Sequence, residues 1–136
     1  MNKTTDMKIE KNNSHLSGEY FVAAELYRRG FSVGMTIGNA KAIDMFANKD
    51  KTTISIQVKA ITNKKSGGWP ISNGISSDKI IYIFVNLNDL SIPEYYIATE
   101  KEAQEEYKQY KTRGIINLSQ LKNVNYQDRW DKIMLT

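Results

Sequence analysis

The chain has 136 residues, 40 % apolar and 25 % charged, a size and balance that predict one packed domain and exclude a disordered or fibrous polypeptide. Without cysteine there are no disulfides, thiolate zinc sites or thiol nucleophiles, so any metal is expected on oxygen; with no run near the ~20 apolar residues that span a bilayer and a polar, non-signal start, a soluble cytoplasmic protein is expected. The formal charge of +4 is uneven: six lysines against two aspartates give residues 41–65 a charge of +4, while residues 89–111 carry −3, so one end is either attractive to a polyanion or a plain solvated lysine surface.

Residues 1–13 are polar and aperiodic and read as a flexible N-terminal arm, leaving 14–136 as the single domain. Over 14–29, Val22, Ala23 and Leu26 recur at helical spacing, Ser14 or Ser17 can cap the start, and Gly30 can close the end. A strand is expected over 31–36, then a turn at 38–41. Residues 42–47 and 53–60 form two further strands joined by the polar connection 48–52, of hairpin length. In the second of them Ile54, Ile56 and Val58 alternate with Ser55, Gln57 and Lys59, so one face is core and the other presents polar groups. Residues 62–79 are rich in Gly, Ser, Asn and Lys and read as a long mobile loop around Trp69 and Pro70. The unbroken apolar run 80–85 suits a central strand buried on both faces, with another strand over 95–98. Thr99 and Glu102 make a capping box that opens a helix reaching about residue 111, and the apolar clusters of 114–136 are small elements packed on the sheet.

The chemistry lies on the hairpin. Residues two apart on a strand point the same way, roughly 7 Å apart, so Gln57 and Lys59 project together. Pairing across the hairpin sets Asp44 opposite about residue 56, within diagonal reach of Gln57. An acid, an amide oxygen and an amine then converge, which is the set that phosphodiester hydrolysis requires. A hard divalent cation would take Asp44 as principal ligand, with the Gln57 side-chain oxygen and the Val58 backbone carbonyl as further donors. Lys59 would orient or help deprotonate the attacking water and offset developing negative charge. Glu19 shares the helix stripe of Val22, Ala23 and Leu26, where a carboxylate is costly unless paired or metal-bound, so it is either a second acidic ligand or a water-mediated one.

Gly18-Glu19, Ala23-Ala24-Glu25-Leu26, Arg29-Gly30-Phe31-Ser32-Val33, Ile43-Asp44 and Ile56-Gln57-Val58-Lys59 together resemble the PD-(D/E)XK nuclease superfamily, in particular its small Holliday-junction-resolvase-like and homing-endonuclease-like members. The resemblance covers roughly residues 14–100. It implies an α/β fold, the restriction-endonuclease-like αβββαβ core with a mixed central sheet flanked by helices. It also implies a Mg²⁺-dependent (or Mn²⁺-dependent) nuclease with Glu19, Asp44, Gln57 and Lys59 in the acidic, metal, metal and lysine positions. Two positions depart from the pattern: Ile43 replaces the proline, and Gln57 replaces the second acid, removing one negative charge from the metal site.

Other residues carry two readings each. Lys41, Lys64 and Lys65 either position nucleic acid through its phosphates or are plain surface. Trp69 either stacks on a base or anchors its loop. Glu25 reads as a surface partner of Arg29, and Tyr82, Tyr95 and Tyr96 as packing. His15 has no partner in sight and stays outside the site. The expected activity is endonucleolytic cleavage of DNA, RNA not being excluded as substrate, in restriction, repair or defence. A two-fold homodimer would serve to cut both strands. The rival readings are a degenerate nucleic-acid-binding module and a protein-interaction module using the acidic 100–106 helix.

Overall fold

The computed structural model describes residues 10–37, 42–72, 74–76 and 79–134. The turn expected at 38–41, with Lys41, and most of the N-terminal arm lie outside them. Helix α1 spans Lys11–Arg28, so the last residues assigned to the arm are helical. Neither Ser14 nor Ser17 caps it: Glu10 is the N-cap, without a side-chain bond, and the Ser14 hydroxyl instead lies 3.2 Å from that of Thr62. The C-terminus closes at Gly30 as predicted. Gly30 has φ of 95°, and the N–H groups of Gly30 and Phe31 donate to the Tyr27 and Leu26 carbonyls, each at 3.0 Å.

The chain continues through β1 (Ser32–Met35), β2 (Met45–Lys49) and β3 (Thr52–Ile61), a 3-10 turn (Lys64–Ser66), β4 (Gly68–Ile71), β5 (Ile81–Asn86) and β6 (Glu94–Thr99). It ends with α2 (Glu100–Glu106), β7 (Tyr107–Gln109), β8 (Gly114–Asn117), α3 (Leu118–Asn123) and α4 (Asp131–Met134). The main sheet has the order β1-β2-β3-β5-β6, with β3 and β5 parallel and all other neighbours antiparallel. This is the mixed sheet flanked by helices that the sequence implied. Asp50 and Lys51, both at positive φ, turn β2 into β3 in two residues, as tight hairpins require. The β3-to-β5 crossover, where the αβββαβ order has a helix, is made here by the 3-10 turn and β4.

Each face of the sheet buries its own core. On one, Val22, Ala23 and Leu26 of α1 meet Ile56 and Val58 of β3 and Ile83 of β5. On the other, Tyr82, Phe84 and Tyr96 meet Trp69, Ile116 and Leu121, under a second sheet of order β4-β8-β7. All six residues of β5 are buried, in keeping with its unbroken apolar run.

Two expectations are corrected. The segment read as a mobile loop contains β4, because Trp69 and Ile71 alternate inward and Gly68 lets β4 lie against the Ile116–Asn117 backbone, where a Cβ would collide. The second helix stops at Glu106 rather than near 111. Its last turn carries acids and no base, which opposes the helix dipole, and Tyr107 pairs instead with Ile116. Among the described residues no helix is long and apolar enough to cross a membrane.

Candidate active site

Asp44 sits where β2 parts from β3. Its N–H donates to the Ile56 carbonyl at 2.8 Å, continuing the register in which Met45 faces Ile56, so Asp44 stands level with Gln57. One step on, the side chain takes over from the backbone: the Val58 N–H donates to Asp44 Oδ2 at 2.7 Å. The Asp44 carbonyl in turn accepts the Thr36 N–H and hydroxyl, both at 3.0 Å. The backbone of Asp44 is therefore held from both sides, and its carboxylate is held by Val58.

Glu19 reaches the same place from α1. Gly18 makes this possible, since a Cβ there would lie 2.6 Å from the Ala60 Cβ, and no larger residue allows α1 to run so close to β3. Glu19 is 8 % exposed, and its Oε2 lies 2.5 Å from His15 Nε2, one helical turn earlier. His15 Nε2 is also 3.6 Å from Asp44 Oδ1. Ligand atoms of His15, Glu19 and Asp44 all fall within 4.8 Å of one another, a spacing that one cation can bridge. Burial, then the charge of Asp44, raises the pKa of Glu19. The hydrogen bond to Asp44, with the charges of Asp44 and Glu19, raises that of His15 against the opposing effect of burial. Two carboxylates facing each other with one shared imidazole form a donor set that fits a divalent ion.

Gln57 and Lys59 occupy the half-buried positions of β3 that alternate with Ile56 and Val58, and so share a direction as the alternation predicted. Lys59 borders a cleft with His15 and Lys11. Burial first, then the charge of Lys11, lowers the pKa of its ammonium, while Asp44 opposes the shift.

Other candidates stand apart from this cluster. Lys64 and Lys65 are exposed on the 3-10 turn. Trp69 is 1 % exposed, donates its indole N–H to the Val85 carbonyl at 3.0 Å and packs against Phe84 and Tyr96, so it is an anchor of β4 and offers no face to a base. Glu25 pairs with Arg28 and Arg29, both at 3.2 Å, away from the site.

His15 is the residue that sequence reasoning missed. It lies inside α1 with Glu19 at i+4 as its partner, a spacing that the helix expected over 14–29 already contained.

No family model and no curated protein sequence matches the chain. Among the solved structures similar to it are two nucleases. The bacterial homing endonuclease I-Ssp6803I shares 12 % identity at a TM-score of 0.65, over 93 % of this chain and 93 % of that one. Hjc, a Holliday junction resolvase from the archaeal hyperthermophile Archaeoglobus fulgidus, shares 14 % identity at a TM-score of 0.52, over 80 % of this chain and 88 % of that one. At such low identity the likeness concerns the fold alone: this chain shares the mixed α/β, restriction-endonuclease-like fold of these two nucleases.

Proposed function

We propose that the chain is a divalent-cation-dependent endodeoxyribonuclease. The observation that carries this reading is the convergence of His15, Glu19 and Asp44 within 4.8 Å, beside a cleft that Lys59 borders. Asp44 and Glu19 hold the ion, with His15 as a nitrogen donor and with the Gln57 side-chain oxygen and the Val58 carbonyl completing the set. Bound there, Mg²⁺ or Mn²⁺ supplies positive charge to the phosphate and lowers the pKa of water.

The chain's own groups do the rest. Val58 fixes the Asp44 carboxylate through its N–H, so that group needs little reorganisation to bind. Lys59, its pKa lowered by burial, orients the attacking water and takes a proton from it, or as ammonium stabilises the charge that builds on the phosphate. The water oxygen bonds to phosphorus, the bond to one ribose oxygen breaks, and that oxygen leaves with a proton. The likeness in fold to a homing endonuclease and a junction resolvase supports DNA as the substrate class, with a role in restriction, repair or defence. One site per chain favours a two-fold homodimer for cutting both strands.

The neutral Gln57 in place of an acid favours a second reading, a site that binds DNA without cutting it. Incubating supercoiled plasmid, linear duplex and branched DNA with the protein in Mg²⁺, in Mn²⁺ and in EDTA separates the two. The nuclease reading expects cleavage with either ion and none in EDTA. Retention of DNA with no product under any condition would establish the second reading instead.

A further inference from the structure

The cleft beside Lys59 has a volume of about 400 Å³, enough for more than a single phosphate group. Lys11 and His15 border it from α1, Lys59 from β3, and Arg113 from the turn that joins β7 to β8. Its opposite wall is Trp69, Pro70 and Ile71 of β4, fixed in place by the buried indole. The lining holds three side-chain cations and no carboxylate. Among the described residues, neither Lys11, Lys59 nor Arg113 has a carboxylate within ion-pair distance, whereas the buried Lys132 is paired with Glu102 at 2.9 Å. Lys11 also lies near enough to Lys59 for its charge to disfavour the Lys59 ammonium. Three like charges gathered around a concave surface whose lining has no carboxylate, Asp44 acting on Lys59 from outside it, favour an anion in the cleft.

The stripe on α1 gives the geometry. Lys11, His15 and Glu19 are successive turns of one face, so Lys11 stands one turn, about 6 Å, beyond the candidate metal cluster. That is on the scale of one nucleotide step. Arg113 reaches the same cleft from the second sheet, whose β4 forms the facing wall.

We infer that this cleft seats the DNA strand being cut, with Lys11 and Arg113 clamping the phosphate that neighbours the scissile one. The inference rests on the nuclease reading above. It gives the β4-β8-β7 sheet a function: it carries Arg113 to the site and walls the strand in. Lys11 and Arg113 are positioning residues, acting on the substrate backbone and not on the reacting bond.

The test is equilibrium binding of a fluorescein-labelled DNA duplex in EDTA, where nothing is cut, over a series of salt concentrations. Each phosphate contact contributes about 0.9 to the slope of log affinity against log salt. Lys11→Ala and Arg113→Ala are each expected to flatten the slope by about 1 and the double variant by about 2, while Arg113→Lys retains it. Both side chains are exposed, and unchanged circular dichroism melts will verify that the variants fold. A double variant with the wild-type slope would overturn the clamp while leaving the nuclease reading standing. Wild-type protein with no salt-sensitive DNA binding would overturn both.

Discussion

The carboxylate of Asp44 accepts the backbone N–H of Val58 at 2.7 Å, so a candidate metal ligand also closes the hydrogen-bond ladder where two strands part. Structure and chemistry are coupled at this residue. Asp44→Ala leaves a backbone donor in a fully buried residue without its acceptor and is expected to lower unfolding free energy by about 1–3 kcal/mol. Asp44→Asn keeps an oxygen acceptor and should lose less than half of that, while losing metal binding. Urea unfolding of the two variants measures the difference; equal losses would show that the Val58 bond contributes nothing.

Gly18 sets the distance between α1 and β3. Adding a methyl group at Gly18 forces it against Ala60, at an expected cost of about 1–3 kcal/mol, and moves Glu19 away from Asp44. Removing the opposing methyl in Gly18→Ala/Ala60→Gly should recover much of both stability and metal affinity. Thermal melts and calorimetric titration check this, and a single variant as stable as wild type would show that the helix has room to spare.

An imidazole in the candidate site favours a metal softer than Mg²⁺. Calorimetry is expected to find Mn²⁺ bound more tightly than Mg²⁺. His15→Gln should weaken Mn²⁺ binding by at least about ten-fold, with a smaller effect on Mg²⁺. Pulsed electron paramagnetic resonance of the Mn²⁺-loaded protein should show nitrogen coupling that the variant lacks. Coupling that survives the substitution would remove His15 from the ligand set.

At the β6 edge of the sheet, Lys132 is 5 % exposed, donates to the Ile97 carbonyl at 2.8 Å and pairs with Glu102. The bonds from the Thr99 backbone and Lys132 hold the Glu102 carboxyl below its ordinary pKa, although burial pulls it upward. A depressed folded-state pKa means stability that is present above the unfolded value, near 4.5, and lost as pH falls through the folded value. The pH dependence of unfolding below about pH 4.5 should therefore be shallower in Glu102→Gln than in wild type. Parallel curves would show that Glu102 does not contribute to acid sensitivity.

Much of this molecule was legible in its sequence, and the failures have physical causes. The alternation in β3, the apolar run of β5 and the Thr99 capping box are local patterns; the first two set their strands to within a residue or so and the third set the start of α2. The hairpin followed from them, with Asp44 expected opposite about residue 56 and found level with Gln57. Helix α1 has no side-chain cap, so nothing marked its start at Lys11; His15 already stood one turn before Glu19 in the expected helix, but its approach to Asp44 is a contact between distant parts of the chain. β4 and β7 are four and three residues long and exist only through pairing with β8, a contact across distant parts of the chain that no local pattern encodes. Trp69 was ambiguous for the same reason, since its anchor is the distant Val85 carbonyl.

The central claim is that Lys59 and the acidic cluster cut DNA together. Its most direct test is the rate of plasmid nicking in Mn²⁺ by wild type, Lys59→Ala and Asp44→Asn, each confirmed as folded and as retaining DNA in EDTA. Wild type should nick, and both variants should fall by at least about a hundred-fold, the scale of losing a general base or a charge stabiliser. Nicking at the wild-type rate in both variants would contradict the account.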